Sequence, residues 1–300
     1  MEDLWREYYR EFRYFTKENV RPGCHPRKMV HPGGARKAVV LVHGLTDSPY
    51  FLTAIGAFFH DCLHYDVYLP LLHAHGLKDP KGMQSVSAGE WRKNVTFAIK
   101  EAASGGREVS IGGLSTGGAL ALWAMLTGPR ITGRLYLFSA ALGLAGSFGV
   151  IPGWLKELLL RLPLIEVFDS NEPLIGANPY RYDRVPLNSG AELARVIQVN
   201  RRLLRRYHRP APPSARIFCA WSEYDSVVSQ EAFVRLGKLV GPGKFTPFVV
   251  PSRCRVEHAS VVLEKPVFAV DAKRGEKPLE SANPRFTLVM DALRQFSQVS

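Results

Sequence analysis

Residues 109–122, Val-Ser-Ile-Gly-Gly-Leu-Ser-Thr-Gly-Gly-Ala-Leu-Ala-Leu, constrain this chain more than any other stretch. A strand-like apolar run enters Gly113-x-Ser115-x-Gly117, and a run of small, helix-forming residues leaves it. That layout places Ser115 on a sharp strand-to-helix turn, with its hydroxyl exposed at the end of a sheet. The flanking glycines are needed because larger side chains would collide with neighbouring strands around a strained turn. Without partners for Ser115, the same run is no more than a Gly-rich junction that binds nothing.

The surrounding pattern alternates strands and helices. Residues 37–42 (Lys-Ala-Val-Val-Leu-Val) form a continuous apolar run, as a strand buried on both faces should. Ser48 or Asp47 can cap a helix from Pro49 to about Phe59. A strand follows at 66–69, then a helix over 87–103 whose Trp91, Val95, Phe97, Ala98 and Ala102 make one apolar stripe. After Ser115 and its helix come a strand at 134–138, a strand at 217–221, a helix over 230–239, a strand at 245–250 and a last helix over 286–296. This rhythm predicts a mostly parallel sheet flanked by helices. The alternation pauses over 143–213, which reads as an insertion after the sixth strand. Residues 1–142 and 214–300 then form the core, and residues 1–20 are expected as an amphipathic helix carrying Leu4, Trp5, Tyr8, Tyr9, Phe12 and Phe15.

Composition narrows the class. A hydrophobic share of 46% with 22% charged residues suits a soluble globular chain of 300 residues. The most apolar stretch, 140–168, is interrupted by Pro152, Lys156, Glu157, Arg161 and Pro163, which excludes a membrane span there. The charged start, Met-Glu-Asp-Leu-Trp-Arg, has no apolar signal core, and a cytoplasmic location is expected. Cys24, Cys62, Cys219 and Cys254 stand without any C-x-x-C pair and read as reduced thiols, with no metal site. The net charge is +12, and half of it lies in 181–209, where eight arginines face Asp183 and Glu192. Leu193, Val196, Ile197, Leu203, Leu204 and Tyr207 recur there at helical spacing, so Arg195, Arg201, Arg202, Arg205 and Arg206 fall mainly on a wet helix face. Nucleic acid is not expected as a partner, because the aromatic interleaving and motifs of such modules are missing. Stable membrane insertion is not expected either, though the arginines leave room for weak contact with an anionic interface.

A serine hydroxyl needs an imidazole to take its proton, and the imidazole needs a carboxylate to fix its tautomer. In open α/β sheets such groups gather at the carboxyl ends of strands. Both occur there. Asp225 follows the strand at 217–221, and His258 follows the strand at 245–250. Glu223 is a rival acid, but it sits close to its strand end, whereas Asp225 precedes the apolar Val227-Val228 that returns to the fold. An oxyanion site requires two backbone N–H donors. Thr116, at the start of the helix after Ser115, supplies one, and Leu45, beyond the Gly44 that lets the backbone approach, supplies the other. His43 is expected to hold its loop by hydrogen bonds.

Taken together, His43-Gly44-Leu45-Thr46, Gly113-Leu114-Ser115-Thr116-Gly117, residues 222–228 and Glu257-His258 resemble the α/β-hydrolase superfamily, in its serine carboxylesterase and monoacylglycerol-lipase-like group. Residues 69–76, Leu-Pro-Leu-Leu-His-Ala-His-Gly, resemble a strand-end loop of that group, with Ala74 where glycine is more usual. The order Ser115, Asp225, His258 is the one such enzymes use. The resemblance implies a mainly helical cap over 143–213, with Phe148, Ile151 and Trp154 among the residues lining an acyl pocket. It also implies hydrolysis of a small-molecule ester through an acyl-enzyme on Ser115, with no cofactor. A carbon–carbon hydrolase or an amidase would use the same three residues, and a non-catalytic ligand-binding protein could share the fold. The polar stretch 265–284 is longer than the group usually carries.

Overall fold

The computed structural model describes residues 4–128, 131–146, 153, 157, 173–206 and 215–299. Seven strands form one sheet: β1 (Arg27–Met29), β2 (Lys37–Val42), β3 (Tyr65–Leu69), β4 (Glu108–Leu114), β5 (Leu135–Phe138), β6 (Ile217–Ser222) and β7 (Phe245–Val250). Their order is β1-β3-β2-β4-β5-β6-β7. The edge strand β1 runs antiparallel to β3, and all other neighbours are parallel. The insertion expected after a sixth strand therefore follows β5, the fifth strand of this sheet.

The sheet is covered on both faces because its strands are apolar on both. In β2, Ala38, Val40 and Val42 enter one core, and Val39 and Leu41 enter the other. The first core also takes α1 (Arg6–Glu11), α3 (Ala88–Ala102), α4 (Thr116–Thr127), α5 (Leu187–Arg206) and α6 (Gln230–Val240). The second takes α2 (Thr53–Ala57) and α7 (Phe286–Gln298). Helix α4 is apolar all round because it lies between the sheet and both α3 and α5, with residues 116–122 all buried. Each large side chain buried this way contributes about 1.5–3 kcal/mol.

The long N-terminal helix expected over 1–20 is a single helix of six residues, α1. Trp5, Tyr8, Phe12 and Phe15 are buried as their spacing suggested. Beyond Phe12, however, the chain turns. Thr16 and Asn19 exchange side-chain bonds with each other's backbone N–H, at 2.8 and 3.1 Å, which favours a turn over another helical turn. The helix expected from Pro49 is likewise composite: a 3-10 turn (Pro49–Leu52), α2, and a π-helical turn (Phe58–Cys62).

Within the insertion, α5 packs on α3 and α4, with Leu193, Val196 and Ile197 buried and Arg195, Arg202, Arg205 and Arg206 exposed. The segment before it is tied to the core: Tyr182 N–H donates to Thr46 O at 2.9 Å, and its buried hydroxyl donates to Ala74 O at 3.1 Å. Phe148, Ile151 and Trp154 lie outside the described residues, as do residues 158–172 and 207–213 of the expected cap. The stretch 265–284 is pinned by an antiparallel bridge between Val267 and Glu280 and by Asn283, which donates to Val261 O.

Candidate active site

Strand register decides what meets at the carboxyl edge of the sheet. Val42 pairs with Gly113, Leu114 with Phe138, Phe138 with Ala220, and Ser222 with Val250. The loops that leave β2, β4, β6 and β7 therefore emerge side by side, and they carry Leu45, Ser115, Asp225 and His258 respectively.

Ser115 has φ 52° and ψ −116°, a positive φ that costs a non-glycine residue about 1–3 kcal/mol. The turn is possible because its neighbours lack side chains. A Cβ on Gly117 would stand 1.9 Å from Val42 O, and one on Gly113 would stand 2.4 Å from the Gly117 carbonyl carbon. Thr116 opens α4, so its N–H has no partner within the helix and points to the same end as the serine.

Asp225 is buried and receives three hydrogen bonds. Oδ1 accepts from the N–H of Val227 at 2.8 Å and of Val228 at 3.3 Å, and Oδ2 lies 2.7 Å from His258 Nδ1. Burial works to raise its pKa, but the His258 hydrogen bond and charge, with the Val227 amide, hold the carboxyl below the usual aspartate value. An ionised Asp225 requires the proton on Nδ1 of His258, which leaves the Nε2 lone pair free. Nε2 is buried and has no hydrogen-bond partner among the described residues. Glu223, by contrast, is exposed and accepts from Ser252 N–H at 2.9 Å, bracing the β7 loop instead of facing the imidazole.

Ser115, His258 and Leu45 line one cavity of about 850 Å³. Leu144, Val185, Pro186, Leu187, Leu193 and Val227 give it an apolar arc, and Arg181, Glu280, Tyr224 and Glu257 give it a polar edge. His43 sits behind the loop, as its sequence position suggested. Its Nδ1–H donates to Gly44 O at 2.8 Å, and its Nε2 accepts from Leu72 N–H at 3.0 Å. Burial, aided by the nearby His75, keeps it neutral. Sequence reading missed the polar edge. Arg181 opens the arginine-rich stretch 181–209 with nothing local to mark it, yet it pairs with Asp47 at 3.2 Å and Glu280 at 2.6 Å. Asp47, two residues beyond Leu45, was the available signal, but its partners lie far away in the chain.

Among the described residues, no group of three or more His, Cys, Asp or Glu is arranged to hold a metal ion, and no helix is long and apolar enough to cross a membrane. All four cysteines are unpaired.

No family model and no curated protein matches this chain. Solved structures do. One from a study of the metagenome-derived lipolytic enzymes LipS and LipT superposes with a TM-score of 0.69 at 20% identity, covering 93% of this chain and 99% of its own. The chain has the α/β-hydrolase fold. A monoacylglycerol lipase of Paleococcus ferrophilus shares this hydrolase fold at TM-score 0.61 and 19% identity, over 91% of this chain and 97% of its own. A monoglyceride lipase of Saccharomyces cerevisiae does so at 0.63 and 12%, over 95% and 97%. The α/β-hydrolase fold hosts many reactions, so the reaction has to be argued from the site itself.

Proposed function

We propose that this protein is a serine hydrolase that cleaves carboxylic esters of short to medium acyl chains, monoacylglycerol-like esters included. The observation that carries the reading is the buried, unpartnered Nε2 of His258, held by Asp225 through Nδ1 in the cavity that Ser115 lines. Nε2 takes the Ser115 proton as Oγ attacks the ester carbonyl. The negative charge that develops on the carbonyl oxygen is met by the N–H groups of Leu45 and Thr116, backed by the N-terminus of α4. Collapse expels the alcohol, which takes the proton from His258, and leaves an acyl group on Ser115. Water, deprotonated by the same imidazole, then releases the acid. Asp225 steadies the imidazolium in both halves without itself taking the proton.

The cavity supports the substrate class. Its volume suits a small ligand, and its lining combines apolar side chains such as Leu144, Leu193 and Val227 with polar ones such as Arg181, Glu280 and Tyr224, the mixture an ester's acyl and alcohol parts call for. A panel of p-nitrophenyl esters from acetate to palmitate tests the reading. The wild type should turn over the short and medium esters, and Ser115→Ala should lose about 10³-fold or more in kcat/KM. Wild-type turnover that survives in Ser115→Ala would refute it.

A further inference from the structure

Beside the nucleophile lies a buried carboxylate that none of these steps uses. Asp47 follows the Leu45 loop, and its side chain is 3% exposed. A Cβ on Gly44 would stand 2.3 Å from Asp47 Oδ2 and 3.3 Å from Ser115 Cβ. One glycine's width therefore separates this carboxylate from the serine. Burial raises the Asp47 carboxyl above the ordinary aspartate value, against the pull of the Arg181 charge, so its anion depends on that partner. A bare anion here would repel the oxyanion that Leu45 and Thr116 are placed to hold. At such separations and an effective dielectric of about 20, that repulsion is worth roughly a hundredfold in rate.

The compensating charge comes from Arg181. Its Nε lies 3.2 Å from Asp47 Oδ1, its Nη1 lies 2.6 Å from Glu280 Oε1, and its guanidinium stacks 5.6 Å from the Phe51 ring centre. The backbone on either side is fixed as well: Arg21 donates to Arg181 O at 2.9 Å, and Tyr182 N–H holds Thr46 O. Glu280 is itself anchored through the bridge to Val267. The guanidinium thus faces the cavity already shared by two carboxylates, so the trio carries one negative charge in excess and is poorly suited to capturing an anionic substrate; what Arg181 offers Asp47 is a local counter-charge beside Ser115.

On the serine-hydrolase reading above, we propose that Arg181 is a positioning residue: its guanidinium, oriented by Glu280, counters the charge of Asp47 and lessens its repulsion of the oxyanion held at Leu45 and Thr116. Two readouts test this, kcat and KM on p-nitrophenyl butyrate and the rate at which a fluorophosphonate labels Ser115, each beside a melting curve. Arg181→Met should lower kcat and labelling by about tenfold or more with KM changed less than about threefold. Adding Asp47→Asn should restore both to within about fivefold of wild type, because the offending charge is then gone. A loss that persists in the double variant, or one confined to KM, would overturn the proposal. If Arg181→Met does not fold, Arg181→Lys decides instead: it keeps the charge, so a loss under about fivefold supports the proposal and a larger one overturns it. A wild type that neither turns over esters nor labels at Ser115 would instead refute the serine-hydrolase reading itself.

Discussion

Asp225 grips His258 Nδ1 at 2.7 Å with one carboxylate oxygen while the Val227 amide occupies the other at 2.8 Å. The carboxylate is locked in place, and the imidazole inherits both its tautomer and its orientation. Asp225→Asn should therefore lower kcat/KM on p-nitrophenyl butyrate by roughly 10³–10⁴-fold, since the amide can present the wrong hydrogen-bonding partner to Nδ1. Glu223→Gln, which touches only the Ser252 backbone, should stay within about twofold. Equal losses in the two variants would mean that the acid is misassigned.

The elbow makes a stability prediction. A Cβ on Gly117 would meet three backbone atoms, Val42 O at 1.9 Å, Val42 C at 2.4 Å and His43 O at 2.5 Å, none of which can swing away as a side chain can. Gly117→Ala should lower the melting temperature by about 10 °C or more, or abolish the cooperative transition. A melt within about 2 °C of wild type would show that the end of β2 and the start of α4 are not packed this closely.

Ser115, Asp225 and His258 could be picked out in the sequence because each follows a short strand-like run, and the parallel register of β4, β5, β6 and β7 then puts the loops that carry them at one edge of the sheet. The Asp47–Arg181–Glu280 network was not, because its members belong to three segments that meet only after folding. Arg181 shares its segment with arginines that do face water, and nothing local sets it apart. The N-terminal segment misled for a related reason. Its aromatic spacing fits a helix, but burial of Trp5, Tyr8, Phe12 and Phe15 needs only α1 and the turns that follow. Tertiary packing, not periodicity, sets where that helix stops.

His75 gives the fold an acid sensitivity with a defined sign. Burial lowers its pKa from 6.5 to about 4, and its Nδ1–H donates to His73 O at 2.9 Å. Because the folded value lies below the unfolded one, unfolding takes up a proton between the two, so stability falls as the pH drops from about 6.5 toward 4. His43, lowered for the same reason, adds to the slope. His75→Asn retains a donor for His73 O and removes one titrating group. The gap between its melting temperatures at pH 7 and pH 5 should be smaller than in wild type, and an unchanged gap would contradict the assignment.

The apolar arc predicts chain-length selection. Leu193 is buried in the cavity wall, and Leu193→Trp fills part of the space assigned to the acyl group. Activity on p-nitrophenyl acetate should change by less than about threefold, while activity on the octanoate falls by about tenfold or more. A uniform fall across the series would place the acyl chain elsewhere.

Activation of Ser115 by His258 is read directly from intact mass and peptide mapping after brief exposure to a fluorophosphonate. A single adduct is expected on the peptide containing Ser115, absent in Ser115→Ala and formed at least about a hundredfold more slowly in His258→Ala. An adduct on another residue, or labelling of Ser115 at an undiminished rate without His258, would contradict it.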